Sequence, residues 1–66
     1  MRKLKELRKS KGITQEELAK DLGVATVTIR KIESSDRNPS INTAKKISRY
    51  FGKNLEYIFP DIFLLK

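Results

Sequence analysis

Apolar residues recur along the chain three and four positions apart, in short runs divided by glycine, proline and small polar residues. Over 2–11 they are sparse. Leu4 and Leu7 share a face that Arg8 and Lys11 extend, while Lys3, Lys5, Lys9 and Ser10 fall outside it. Gly12 supplies the left-handed residue that commonly ends a helix. The next run starts more firmly: Thr14 as N-cap and Glu17 three residues later form a capping box. Ile13 and Leu18 are placed for a hydrophobic staple. Leu18, Ala19 and Leu22 make a buried stripe, and Gly23 closes the helix.

The third run, 26 to 33 or 34, is contested. Val24, Thr26, Val27, Thr28 and Ile29 are β-branched and favour a strand. Strict alternation fails, however, and Ile29 and Ile32 lie three apart, which predicts a helix. A polar loop over 34–40 follows. Pro39 disfavours helix at Asn38, and Ser40 caps a fourth helix over 41–51. Its inner face is read as Ile41, Ala44, Ile47, Ser48 and Phe51, with Gly52 as its stop. Asn54 caps a last short helix over 55–59, anchored by Leu55, Ile58 and Phe59 and stopped by Pro60. The tail, 60–66, contains Ile62-Phe63-Leu64-Leu65 without helical amphipathy and is a candidate extended segment. The fold class expected is all-α, five short helices in a single domain over 1–66 with a helical core over 1–59, without repeat, linker or low-complexity stretch.

Within 14–33 the spacing is specific. Two helices crossing steeply through a short turn need a small residue at their closest approach and a residue tolerant of positive φ in the turn. Ala19 and Gly23 meet those needs. Leu18, Leu22, Val24, Ile29 and Ile32 can fill the angle between the helices. Thr26, Val27, Arg30, Lys31 and Ser34 are left outward on the second helix. That set is polar, basic and small enough to enter a major groove, so 14–33 reads as a helix-turn-helix.

Composition narrows the partner. The 66 residues carry 15 Lys and Arg against 8 Asp and Glu, a formal charge of +7. Such a field attracts polyanions. With no Cys and no His, disulfides and thiolate or imidazole metal sites are excluded, and no cofactor is expected. No enzyme is expected either: there is no glycine-rich phosphate loop, and Glu16, Glu17 and Asp21 read as a solvated acidic face at a helix start. No apolar run approaches the ~20 residues that span a bilayer. The basic N-terminus lacks the apolar stretch of an export signal, so a cytoplasmic location is expected.

The stretch LRKSKGITQEELAKDLGVATVTIRKIESSDRNPS, residues 7–40, resembles the Cro/CI-type, or xenobiotic-response-element-like, helix-turn-helix regulators. The resemblance extends from about residue 4 to about residue 59. It implies a lambda-repressor-like DNA-binding domain with the motif on helices two and three. By that likeness Gln15 holds a phosphate and braces the recognition helix, and Thr14 adds a phosphate contact to its capping role. Thr26, Val27 and Lys31 match the main base-reading positions. Lys31 can donate to guanine, Thr26 can bond a base or a phosphate, and Val27 can pack on a thymine methyl. Arg30 is assigned to phosphate ahead of base. Arg37, Asn38 and Ser40 belong to the loop and helix start that grip the backbone beside the groove. Arg37 is the foremost contact, either on a phosphate or reaching toward the minor groove; Ser40 doubles as a cap, and Asn38 has turn formation as its alternative. Arg8 and Glu33 match a structural ion pair. Two positions depart from the pattern. Ala25 stands where Ser or Thr usually caps the recognition helix, which opens the alternative of Thr26 as cap. Ser35 replaces the common glycine after Glu33, which opens the alternative of a different turn in the loop.

The function these readings predict is a sequence-specific regulator of transcription, a repressor, acting on double-stranded DNA. A homodimer on an inverted repeat is the preferred assembly. The tail either packs on its own core or, as preferred, is buried between two copies. The rival reading is a protein-interaction module of the same fold: an antitoxin, an anti-repressor or a restriction–modification control protein. A membrane-surface role ranks third, because the basic residues are not gathered opposite one apolar face. No small-molecule ligand is evident.

Overall fold

A computed structural model describes residues 2–63. Its described residues form α1 (Leu4–Ser10), α2 (Gln15–Leu22), α3 (Thr26–Glu33), α4 (Ile41–Phe51), α5 (Leu55–Ile58) and α6 (Pro60–Phe63), with no strand among them. The β-branched run at the start of α3 is helical because Ile29 and Ile32 are fully buried. Burial of two isoleucines, roughly 1.5–3 kcal/mol each, outweighs a helix-propensity deficit of a few tenths per residue.

The caps of α2, α4 and α5 follow from their sequence. Thr14 Oγ1 accepts from the Glu17 amide at 3.0 Å, and Glu17 Oε1 accepts from the Thr14 amide at 2.8 Å. Gly23 ends α2 in the left-handed region at φ 72°, and its amide and that of Val24 both reach the Ala19 carbonyl. A Cβ on Gly23 would meet nothing within 4 Å. The turn therefore requires glycine for its φ, not for space. Ser40 caps α4 and Asn54 caps α5, each accepting from the amide three residues on.

Leu4, Leu18, Ala19, Leu22, Ile29, Ile32, Ala44, Ile47, Ile58 and Phe59 form the core. Helices α2 and α3 pack most closely on one another, with α4 laid across α2. Tyr50 of α4 ties that crossing by donating to Asp21 Oδ2 at 2.6 Å, a bond that raises the phenol pKa above its ordinary value.

Three expectations are corrected. Ile41 is not on the inner face of α4: it is 53% exposed, because the helix meets the core only from Ala44 onward. Helix α1 is shorter than 2–11, because Arg2 and Lys3 leave it to join the other end of the chain, where the Lys3 amide donates to Ile58 O at 2.9 Å. Pro60 does not end the helical part. It opens α6, where its fixed φ suits a first turn and its missing N–H would be unpaired anyway. The tail expected to be extended is thus helical as far as Phe63, with Ile62 and Phe63 half-buried against the core. The remainder of that expectation, 64–66, lies outside the described residues.

Candidate nucleic-acid interface

The outward face of α3 carries the residues expected there. Ile29 and Ile32 anchor the helix inward, which leaves Val27, Arg30 and Lys31 exposed and Thr26 half-buried at the helix start. Ala25 takes the N-cap with extended backbone and no side-chain cap bond. Thr26 is therefore the first helical residue, and its hydroxyl is not committed to capping.

A buried ion pair joins α1 to the C-terminal end of α3, and the start of α2 adds to it. Arg8 Nε donates to Glu33 Oε2 at 2.6 Å and Arg8 Nη2 to Glu33 Oε1 at 3.3 Å, with the two side chains 10% and 3% exposed. Arg8 Nη1 also donates to the Ile13 carbonyl at 2.9 Å. Gln15 Nε2 adds a donor to Glu33 Oε1 at 2.9 Å. The bracing expected of Gln15 is present, and its second amide hydrogen remains for a partner. Thr14 sits one residue earlier, with its oxygen and amide both engaged in the cap and its hydroxyl hydrogen left to donate.

Two clefts flank α3. One is lined by Lys5, Gln15, Arg30, Glu33 and Ser34. Lys5 was not among the expected contacts, although its position three residues before Arg8 puts both on one side of α1. The other cleft gathers Arg37, Asn38 and Ser40, as expected, with Thr28, Ile32, Pro39 and Thr43. Two of these side chains carry internal duties. Ser40 Oγ accepts from the Thr43 amide and bonds the Thr43 hydroxyl, and Asn38 Oδ1 accepts from Arg2. Arg37 is exposed.

The loop after α3 is a Schellman turn. The Ser35 amide bonds the Ile32 carbonyl at 3.2 Å, the Asp36 amide bonds the Lys31 carbonyl at 2.9 Å, and Ser35 lies at φ 68°. The replacement of glycine by Ser35 keeps the left-handed turn and adds strain of about 1 kcal/mol. Arg2, which the sequence reading left without a role, holds the same loop from outside. Its signal was absent from local patterning, because its partners lie 30 to 59 positions away.

Among the described residues no His, Cys, Asp or Glu cluster could hold a metal ion, and no helix is long and apolar enough to cross a membrane.

Two short helices joined by a glycine turn, the second with a basic outer face, define a helix-turn-helix protein. Comparison places it more narrowly: residues 4–58 match the model of the family described as Helix-turn-helix. The chain belongs to the Cro/CI-type helix-turn-helix family of DNA-binding transcription regulators. It is 47% identical over 57 residues to an uncharacterized HTH-type transcriptional regulator of Methanocaldococcus jannaschii, covering 86% of each chain. It is 39% identical over 54 residues to the HTH-type transcriptional activator BcrR of Enterococcus faecalis, covering 82% of this chain and 26% of that protein. Similarity to the cryptic phage CTXphi transcriptional repressor RstR of Vibrio cholerae is 27% over 59 residues, 89% of this chain and 53% of that one.

Proposed function

We propose that the protein is a sequence-specific repressor that binds an inverted-repeat operator in double-stranded DNA as a homodimer. The observation that carries this reading is the outward face of α3, with Val27, Arg30 and Lys31 exposed between two clefts lined by Gln15 and Arg37. In this reading α3 enters the major groove. Lys31 donates to guanine, Val27 packs on a thymine methyl, and Thr26 bonds a base edge. Arg30, Gln15 and Thr14 hold phosphate on one side of the groove, and Arg37, Ser40 and the free amide hydrogens of Asn38 do so on the other. Two copies would set their α3 helices about 34–36 Å apart, in successive grooves.

Relatives named as a repressor and as an activator both exist. Repression is favoured because occupancy of a promoter by the helix-turn-helix alone suffices to exclude polymerase. For the dimer, Ile41 and Tyr57 add exposed apolar surface to the half-buried Ile62 and Phe63.

Binding-site selection from random duplex DNA, with sedimentation of the protein and its complex, tests the whole. The expected outcome is a palindromic site occupied by two copies. On it, Lys31→Ala loses about 1–3 kcal/mol, while affinity for random duplex is nearly unchanged. Equal affinity of the wild type for selected and random duplex would overturn specificity, and a one-to-one complex on a palindromic site would overturn the dimer.

A further inference from the structure

Arg2 lies outside the helix-turn-helix, yet its side chain is only 4% exposed. A guanidinium has five N–H donors in a fixed fork, and here every one faces an acceptor. Nε donates to both carboxylate oxygens of Asp61, at 3.3 and 3.1 Å, and Nη2 adds Asp61 Oδ2 at 3.0 Å. Nη1 donates to the Ile32 and Arg37 carbonyls, both at 2.8 Å. Nη2 also donates to Asn38 Oδ1. The ring of Phe59 lies beneath the fork, its centroid 5.7 Å from Cζ. One side chain thus spans the last turn of α3, the loop behind it and helix α6.

We propose that Arg2 is a positioning residue for DNA binding, which sets the loop carrying Arg37 against phosphate and couples that loop to the C-terminal helix. The proposal rests on Arg37 gripping the backbone, as proposed above. The loop needs such a hold. Its left-handed Ser35 adds strain, and the Arg37 amide is tethered from inside only by a 3.2 Å bond to Lys31 O. Without Arg2 the Arg37 carbonyl loses its tether and the Arg37 side chain its fixed origin. Arg2 cannot contact phosphate itself in this arrangement, since no donor is left over and the fork is buried. Its effect on DNA must therefore pass through the loop.

A double-mutant cycle on the full chain reads that passage. Arg2→Met and Arg37→Ala are made singly and together, and affinity for the selected operator is measured against salt concentration, at a temperature where circular dichroism shows each variant folded. Arg37→Ala is expected to weaken binding roughly tenfold and to reduce the slope of log K against log salt by about one. Arg2→Met is expected to do nearly the same, and the double variant to lose less than a further twofold. Arg2→Lys, which keeps the charge without the planar fork, is expected to rescue less than half of the loss. Should Arg2→Met fail to fold, Asp61→Asn takes its place in the cycle. There a loss of about threefold that vanishes in the Arg37→Ala background supports the coupling. Independent, multiplying losses, or full rescue by Arg2→Lys, would overturn the role of Arg2 and leave the Arg37 grip intact. Arg37→Ala without effect at any salt concentration would instead overturn the grip itself, and with it the task assigned to Arg2.

Discussion

The helix-turn-helix and the clasp formed by the two chain ends hold the loop behind α3 from opposite sides and by different means. On the inner side Ile29, Ile32, Leu18 and Ala19 are buried within a stretch of fifteen consecutive positions, 18–32, and a nearly dry ion pair, Arg8 with Glu33, closes the far edge. On the outer side one arginine reaches carbonyls, an amide and a partly exposed carboxylate, Asp61, from the opposite end of the chain. The first arrangement resists opening because each removed contact leaves a cavity or an orphaned charge. The second can be released with much less loss, since Asp61 still has water. The difference teaches where rigidity is concentrated: on the face that presents α3, with an adjustable hold on the loop beside it.

The largest expected effect breaks the inner side. Glu33→Ala leaves Arg8 buried without its partner and Gln15 without its acceptor, a loss of about 3–5 kcal/mol. A domain of this length has only about 3–10 kcal/mol in total, at roughly 0.05–0.15 per residue. Urea unfolding at neutral pH should find the variant largely unfolded or barely stable. A loss below about 1 kcal/mol would mean that the pair is screened by water, and the contrast between the two sides would disappear.

The next effect is smaller and opposite in sign. Ser35→Gly relieves a side chain from a left-handed φ of 68°. Stability should rise by about 0.5–1 kcal/mol, with the turn unchanged. Measured by thermal unfolding, a variant less stable than the wild type would show that the Ser35 conformation carries no strain, so that the loop would need no outer hold.

The two regions were also unequally legible in the sequence. Thr14, Glu17, Ala19, Gly23, Ile29 and Ile32 announce the helix-turn-helix because capping, turn and burial signals act over three or four residues, the range of a helix repeat. Ser35 was recognisable as a substituted glycine, and its left-handed φ follows from the Schellman turn that any residue there must close. Ile41 was misread because an i, i+3 pattern does not tell where along its length a helix meets the core. Arg2 was silent, and α6 was read as an extended tail, for one reason. Their partners come together only after the chain ends meet, and Arg2 looks locally like another surface cation. The candidate interface stands between these extremes. Its α3 residues follow from the helix period, whereas the placement of Lys5 beside Arg30 and of Asn38 under Arg2 required the tertiary structure.

The smallest effect sharpens the comparison at the outer side through pH. The hydrogen bonds from Arg2 are the main cause that lowers the Asp61 pKa below 3.8, with partial desolvation acting against them. A carboxyl whose folded pKa lies below its unfolded value, about 3.9, binds protons more readily in the unfolded chain. Its contribution to stability is therefore complete above about pH 4–5 and is lost as pH falls through the folded pKa. For a partly exposed pair that contribution is at most about 1 kcal/mol. The difference in unfolding free energy between the wild type and Asp61→Asn should be flat from pH 7 to about pH 5 and shrink toward zero as the solution is acidified further. The amide resonance of Arg37 should shift over the same interval in the wild type and stay still in the variant. A difference that persists unchanged to about pH 2, well below the ordinary carboxylate range, would mean that the Asp61 charge does not hold Arg2, and the clasp would then owe its closure to the carbonyl bonds and Phe59 alone.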